Sequence, residues 1–298
     1  MKKGLVFLYE DFCAELVREL KNIGISFFGL HANPQQSSVE DFLSFLDKNR
    51  AILNDAEKDG ITVEYYLHAL NYLLPRGYFE KDETAFRKDE NGVRTSDYNC
   101  CPSSSFALKI IEERAFLLAK LLKQKSHRYH LWTDDDFGGD VKCNCEKCKN
   151  LSASKQNEII YAAILKGLKK YDSEAKIAYL VYGEEIVEKG DYVGMFLEFA
   201  PFKRMHGVGI TDRLNEGFER RFDNAIKNFS LCDAAVLEYF LSYDYAGFCS
   251  DCGRVVSDLK WYKEKGVKEI GSFVVFPEKD YIKKYGFYGI KKYAEIKC

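Results

Sequence analysis

Three consecutive carboxylates, Asp134, Asp135 and Asp136, directly follow an aromatic segment that reads His-Arg-Tyr-His-Leu-Trp. Three acids this close cannot all be charged without mutual repulsion, so the run favours a proton on one of them near neutral pH. A protonated carboxyl group beside a charged one is what acid catalysis at a glycosidic oxygen requires. A helix N-terminus and a calcium-binding loop are the alternative explanations for such a run.

Acid catalysis at a sugar needs a second group that stabilises the positive charge developing on the ring. That group can be a carboxylate nucleophile, a carboxylate base that activates water, or the 2-acetamido oxygen of the substrate itself. Asp134 and Asp135 suit the third arrangement, in which one aspartate orients the acetamide and its neighbour protonates the leaving group. The sequence leaves all three arrangements open.

A cysteine cluster follows the carboxylates, with Cys143, Cys145 and Cys148 in one short loop. Thiols at this spacing in a reducing compartment are typical of a zinc site, and free thiols or a disulfide are the alternatives. Tetrahedral zinc needs a fourth ligand, which the preceding loop offers as Cys100 or Cys101, and we select Cys101. Because all-sulfur zinc sites are usually closed, the predicted zinc is structural and catalysis requires no cofactor.

The elements that position these residues alternate between strand and helix along the whole chain. Short runs rich in β-branched and aromatic residues are separated by longer segments with apolar residues every three or four positions, which predicts an α/β fold. Eight such strands in a chain of 298 residues predict a single domain, a (β/α)8 barrel over residues 1–298. The predicted strands are Gly4–Tyr9, Ser26–His31, Thr62–His68, Arg128–Thr133, Lys176–Tyr182, Val193–Phe199, Ala234–Phe240 and Glu269–Val275.

Two connections depart from the regular pattern. About thirty residues, 69–102, separate the third strand from the next helix, and loops of this length are often lids or binding elements. Residues 183–192 are too few for a full crossover helix, so the fifth helix is predicted to be reduced or missing. Ahead of the second helix, Ser37 with Glu40 predicts a capping box.

In a barrel the functional groups lie where the strands run into the following loops. The polar and aromatic residues predicted there as substrate contacts, together with Asp136, are Glu64, His68, Trp132, Tyr182, Glu198, Glu238 and Tyr239. Glu198 and Glu238 each stand alone in an apolar run, where an acid must be paired, hydrogen-bonded or functional. Arg94, in the long loop, is a further candidate for contact with an acidic sugar.

Composition excludes several classes of partner. The net charge is −2 and charges of both signs are interspersed, so no basic stripe indicates nucleic acid. The first apolar run ends at Glu10, short of a signal sequence, and no segment reaches the length of a membrane span. We therefore expect a cytoplasmic protein with mostly reduced cysteines, whose oligomeric state the sequence leaves open.

Several blocks occur together in one order over roughly residues 60 to 275. They are Glu64-x-x-x-His68, Phe86-Arg87-Lys-Asp89-x-x-Gly92-x-Arg94, Asn99-Cys-Cys-Pro102, the aspartates followed by Cys-x-Cys-x-x-Cys, Ala178-Tyr-Leu-x-Tyr182, and Leu237-Glu238-Tyr239. The combination resembles a bacterial barrel family, long labelled a domain of unknown function, that includes endo-β-N-acetylglucosaminidases acting on N-glycans and is distantly similar to α-glucuronidases. This resemblance implies a hexosaminidase-like or glucuronidase-like hydrolase with Asp134 and Asp135 as its catalytic acids.

The chain also departs from such relatives, because no glutamate follows the fourth strand where neighbouring families often carry their acid. Either the aspartate pair carries out the acid catalysis or the activity has been lost. The sequence therefore predicts a glycoside hydrolase acting on an oligosaccharide, with a non-catalytic glycan-binding barrel and a metal-dependent hydrolase as alternatives.

Overall fold

The computed structural model describes residues 1–33, 37–135, 141–182, 186–229, 233–242, 252–274 and 281–297. Its strands close into one parallel barrel in sequence order, which confirms the predicted (β/α)8, or TIM, barrel. The strands are β1 Lys2–Leu8, β2 Phe27–Ala32, β3 Thr62–His68, β4 Arg128–Trp132, β5 Lys176–Val181, β6 Met195–Phe199, β7 Ala235–Glu238 and β8 Glu269–Phe273.

Helices cover the outside of the barrel. They are α1 Ala14–Asn22, α2 Val39–Lys58, α3 Leu70–Leu73, α4 Ser105–Leu122, α5 Ala153–Lys169, α6 Phe218–Ile226, α7 Cys252–Glu264, α8 Tyr281–Tyr285 and α9 Tyr288–Glu295. Their apolar faces pack against the outward side chains of the strands in one continuous core. Burial of this apolar surface is the main force that holds helices and barrel together. Within the described residues, no helix is long and apolar enough to cross a bilayer.

Side chains alternate between the two faces of each strand. On β3, Tyr65 and Leu67 contact the helices, whereas Tyr66 belongs to the cluster inside the barrel. The inner cluster also contains Trp132 from β4 and Phe196 from β6. Large rings fill the barrel interior, so the barrel has a packed core with its functional surface at one end.

A glycine makes room for one of these rings. A Cβ on Gly29 would lie 2.2 Å from the ring of Tyr66, far inside contact distance, so a side chain here would displace the ring. The Tyr66 ring stacks on His130 with centroids 3.9 Å apart, and the two residues are register partners of β3 and β4.

Both predicted irregularities are present. The loop after β3 contains α3 and two 3₁₀ turns, Arg76–Glu80 and Glu83–Ala85, before α4 begins. Between β5 and β6 the described residues form no helix, as the short spacing predicts. The enlarged loop after β3 therefore lies beside the loop that follows β4.

The capping box predicted at Ser37 and Glu40 was wrong by one residue. Ser38 is the N-cap of α2, its hydroxyl accepts from the Asp41 backbone N–H, and Asp41 accepts in return from the Ser38 N–H. Ser37 instead donates its hydroxyl to the carbonyl of Asn33. Since adjacent serines both fit the motif, backbone geometry decided which one caps the helix.

Candidate active site

A cleft of about 610 Å³ opens at the carboxyl ends of β2, β3 and β4. Its walls come from the ends of these strands, the N-terminus of α2, and the enlarged loop after β3. The described residues that contribute acidic, basic or imidazole groups to its lining are Glu40, Asp41, His68, Arg76, Asp97, Arg114, Asp134 and Asp135. Active sites of (β/α)8 enzymes lie at this end of the barrel.

Asp134 is held firmly by the loop after β3. Its Oδ2 accepts a hydrogen bond from the guanidinium of Arg76 and another, of 2.6 Å, from the backbone N–H of Asn99. The backbone N–H of Asp134 in turn donates to Asn99 Oδ1 at 2.9 Å. The Asp134 side chain is only 9% exposed, so this carboxylate has a fixed position at the cleft wall.

Asp135 has a different environment although it is the next residue. Its side chain is 27% exposed, and its Oδ2 lies 4.0 Å from His68 Nε2. That distance is too long for a hydrogen bond, but it places the imidazole beside the carboxyl group. The two aspartates therefore differ in environment: Asp134 is bonded to a cation, and Asp135 is partly exposed beside an imidazole.

The protonation of His68 follows from its partners. Nδ1 lies 2.7 Å from the carbonyl oxygen of Thr133, and a carbonyl only accepts, so Nδ1 carries a hydrogen. In the neutral ring, Nε2 is then an acceptor for the Tyr182 hydroxyl, 3.4 Å away. His68 thus presents Nε2 to both Tyr182 and Asp135 at the cleft floor.

Aromatic rings surround His68. The Trp132 ring centroid lies 5.0 Å from that of His68, and His31 lies 5.8 Å from Trp132 and 6.1 Å from His68. Burial, with the charge of His68, lowers the pKa of His31 to about 3, so His31 is neutral at physiological pH. Its Nδ1 donates to the Tyr66 carbonyl at 3.0 Å.

Tyr239, at the end of β7, extends the aromatic surface. It stacks on Phe273 with centroids 5.4 Å apart, and Phe273 contacts His31 at the same separation. The other edge of Tyr239 contacts Phe202. Trp132, Tyr182 and Tyr239 thus lie in one cluster inside the barrel. Trp132 and Tyr239 are buried, and none of the three is in the lining of the described cleft.

Glu64 and Glu198 lie deeper, in the barrel interior, on either side of His130. Glu198 lies 2.9 Å from His130 Nδ1 and Glu64 lies 3.1 Å from Nε2. Burial alone would lower the pKa of His130, but the two carboxylates outweigh burial and raise it to about 9. The Trp132 indole N–H also donates to Glu198, at 2.7 Å. The structure therefore places both glutamates in an internal ion-pair network beneath the cleft floor.

Glu238 faces outward, toward α7. Its carboxylate accepts from the Arg204 guanidinium at 3.2 Å and from the Tyr262 hydroxyl at 2.7 Å. Arg204 also donates to Asp258 at 2.8 Å, and burial raises the pKa of Asp258 to about 6. This fully buried group fastens α7 to the barrel, so the structure does not bring Glu238 to the cleft.

Two further predicted contacts have other positions. Arg94 donates to the Phe86 carbonyl at 2.5 Å and lies beside Cys101, whose sulfur raises the pKa of Arg94 against the effect of burial. Arg94 is thus a neighbour of the cysteines and is absent from the cleft lining among the described residues. Asp136 lies outside the described residues.

The four predicted metal ligands come together. The sulfurs of Cys101, Cys143, Cys145 and Cys148 lie within 4.8 Å of one another, and all four residues are buried. Cys100 belongs instead to the apolar core between barrel and helices. Among the described residues, this is the group of side chains that could hold a metal ion.

Arg76 and Asn99 are site residues that the sequence did not single out as such. Both lie in the enlarged loop, far from Asp134 in sequence, and neither residue type predicts its partner. The one usable signal was Asn99 itself, which occurs in a block shared with the resembling family. Its φ of +47° places it in the left-handed region that favours asparagine and glycine.

No protein-family model matches the chain, and no curated protein matches it either. Solved structures do share its fold. A GH5 xyloglucan-specific endo-β-1,4-glucanase from a metagenomic library, solved with cellotriose, is 11% identical to this chain with a TM-score of 0.54. The match covers 89% of this chain and 78% of the glucanase chain.

Two other solved barrels are similar to the same degree. A GH20 catalytic module of the pneumococcal exo-β-D-N-acetylglucosaminidase StrH is 10% identical with a TM-score of 0.52, covering 99% of this chain and 84% of its own. The Pseudomonas stutzeri endoglucanase Cel5A, solved with cellobiose, is 10% identical with a TM-score of 0.51, covering 100% of this chain and 93% of its own. At such identities the likeness establishes the shared barrel fold.

Proposed function

We propose that this barrel is a glycoside hydrolase that acts on an oligosaccharide carrying a 2-acetamido sugar. The observation that carries the proposal is the contrast between two adjacent aspartates at the end of β4. Asp134 is fixed by Arg76 and Asn99, whereas Asp135 is partly exposed beside His68. Several solved barrels of the same fold hydrolyse glycosidic bonds, and this adds support at the level of fold.

In the proposed reaction Asp135 is the general acid. It protonates the glycosidic oxygen as the bond from that oxygen to C1 breaks, and the sugar on the far side leaves as an alcohol. The acetamido oxygen attacks C1 and closes a five-membered ring, while the amide N–H donates to the carboxylate of Asp134. Asp135, now deprotonated, takes a proton from the water that reopens the ring at C1.

Several features of the cleft suit these separate roles for Asp134 and Asp135. The Arg76 guanidinium keeps Asp134 as an acceptor, which an orienting group must be. Among the described residues Asp135 has no comparable cation bonded to it. A protonated His68, with Nε2 4.0 Å away, can stabilise the Asp135 anion that forms when the proton passes to the glycosidic oxygen. Tyr72 and Tyr98, in the cleft lining, offer apolar faces for the C–H surface of a sugar.

The test is a screen of purified protein against chromogenic β-N-acetylglucosaminide, β-glucoside and α-glucuronide, and against an N-glycan. We expect turnover of an acetamido sugar but not of the glucoside, because the glucoside lacks the participating amide. On the N-glycan, whose leaving sugar must be protonated to depart, Asp135→Asn should lower turnover about 10²–10⁴-fold while sparing binding. Glu113→Gln, on the exposed face of α4, is the matched control.

Other results would redirect the assignment. Sugar binding without turnover by the unmodified protein would indicate a binding barrel. Turnover abolished by a chelator and restored by a divalent ion would indicate a metal-dependent hydrolase. Unchanged turnover in Asp135→Asn would overturn the catalytic role given to that residue.

A further inference from the structure

We infer that Cys101, Cys143, Cys145 and Cys148 bind a structural zinc ion that fastens the loop after β3 to the loop after β4. The sulfur of Cys101 lies 3.7 Å from that of Cys145 and 3.8 Å from that of Cys148. A zinc ion bonded to four thiolates at about 2.3 Å has sulfur–sulfur distances of about 3.8 Å along the edges of its tetrahedron. Two edges of the cluster therefore already have this length, and all four sulfurs lie within 4.8 Å of one another.

These distances are too long for a disulfide, whose sulfurs are about 2 Å apart. A tetrahedral set of four sulfurs selects zinc or iron among common metals. All four residues are buried, which leaves no open coordination position and fits a structural ion. We assign zinc, and metal analysis distinguishes it from iron.

The surroundings of the sulfurs fit a negatively charged metal centre. The backbone N–H of Lys88 donates to Cys143 Sγ at 3.3 Å, and Arg94 lies beside Cys101. Four thiolates and one zinc ion carry a net charge of −2, so a nearby cation and N–H donors stabilise the assembly. Hydrogen bonds of this kind orient metal ligands and are part of most metal sites.

The ligand loop is also held in shape without the metal. The buried amide of Gln156, on α5, accepts from the Cys143 N–H at 2.7 Å and donates to the carbonyls of Cys143 and Cys148 at 3.0 and 3.1 Å. One side chain thus fixes both ends of the Cys143–Cys148 loop. This support holds three ligands in place for the fourth, Cys101.

The proposed zinc lies close along the chain to the candidate active site. Cys101 is two residues from Asn99, whose side chain donates to the Val141 carbonyl at 3.3 Å, and Val141 is two residues from Cys143. The same two segments therefore meet both at the cysteines and at the Asn99–Asp134 pair. Zinc would hold this junction together, which gives it a positioning role rather than a catalytic one.

The test measures metal content and needs no sugar, so it is independent of the proposed hydrolase activity. Protein purified without chelators should contain equimolar zinc by inductively coupled plasma mass spectrometry. X-ray absorption at the zinc edge should give sulfur ligands only, at about 2.3 Å. Cys143→Ser and Cys148→Ser should lose the zinc. Cys13→Ser should retain it, because Cys13 is an exposed N-cap of α1.

A second measurement covers variants that do not fold. A thiol-specific mercurial added to the folded wild-type protein should release zinc stoichiometrically and lower its melting temperature. Three results would overturn the assignment. The first is a zinc content of the wild type no higher than that of Cys148→Ser. The others are oxygen or nitrogen ligands in the absorption spectrum and equimolar iron in place of zinc.

Discussion

Asn99 and Asp134 hold each other through two reciprocal hydrogen bonds: the backbone N–H of each donates to the side-chain oxygen of the other, at 2.6 and 2.9 Å. The pair joins the enlarged loop after β3 to the end of β4. It fixes the carboxylate to which we assign the orienting role, so its removal should affect turnover more than folding.

Asn99→Gly tests this relationship. Glycine accepts the positive φ at residue 99 and keeps the backbone donor, so the variant removes only the side-chain amide. Two hydrogen bonds are lost, one from the Asp134 N–H and one to the Val141 carbonyl. The one from Asp134, of about 1 kcal/mol, should lower kcat about five- to tenfold. KM should change little, because Asn99 positions Asp134 and is not proposed to touch substrate.

The control for that variant is Asn99→Asp, which keeps the conformation and the acceptor but places a second carboxylate beside Asp134. Repulsion should make this variant slower than Asn99→Gly. Equal rates in wild type and both variants would show that the position of Asp134 does not limit turnover.

The two aspartates should respond differently to the leaving group of the substrate. A good leaving group departs without protonation, so Asp135→Asn should lose little activity on an activated aryl glycoside and far more on a natural disaccharide. Asp134→Asn should lose a similar factor on both, because the acetamide must be oriented whatever departs. The measurement is kcat/KM for both variants over a series of leaving groups.

The reverse pattern would exchange the two roles. A uniform loss in Asp135→Asn together with a leaving-group dependence in Asp134→Asn would make Asp134 the acid, despite its bond to Arg76.

The buried network around His130 predicts a stability that falls with rising pH. The pKa of His130 is about 9 in the folded protein, against its ordinary value of 6.5. Its proton therefore stabilises the fold fully below pH 6.5, and this contribution disappears as the pH rises through 9. The full loss should be up to about 3 kcal/mol in the free energy of unfolding.

Urea unfolding at pH 6.5 and pH 9 measures this loss. His130→Gln should flatten the pH dependence and cost about 3–5 kcal/mol at pH 6.5, because Glu64 and Glu198 stay buried without their cation. Glu113→Gln, on the exposed face of α4, is the control and should keep the wild-type dependence. If the free energy of unfolding of His130→Gln falls with pH as steeply as that of the wild type, the titrating group is another member of the network.

The alternation of strand and helix sufficed to predict the barrel, because a period of two and a period near four are visible in any single element. β3 was predicted with its observed bounds, Thr62–His68. The cysteine spacing likewise predicted a cluster, since three of its four members lie within one loop. Cys101 was selected over Cys100 as the fourth member, but only the tertiary structure gives the reason. The path of the long loop directs Cys101 to the cluster and Cys100 to the apolar core.

The sequence could not tell which acids face the cleft. Glu198 and Glu238 have nearly identical apolar surroundings in the chain, yet one points into the barrel toward His130 and the other outward toward Arg204. That choice depends on where each strand starts in the barrel register, and a shift of one residue reverses it. In the same way, nothing in the sequence distinguishes Asp134 from Asp135. They differ in the structure because Arg76 and Asn99, distant in sequence, reach only the first of them.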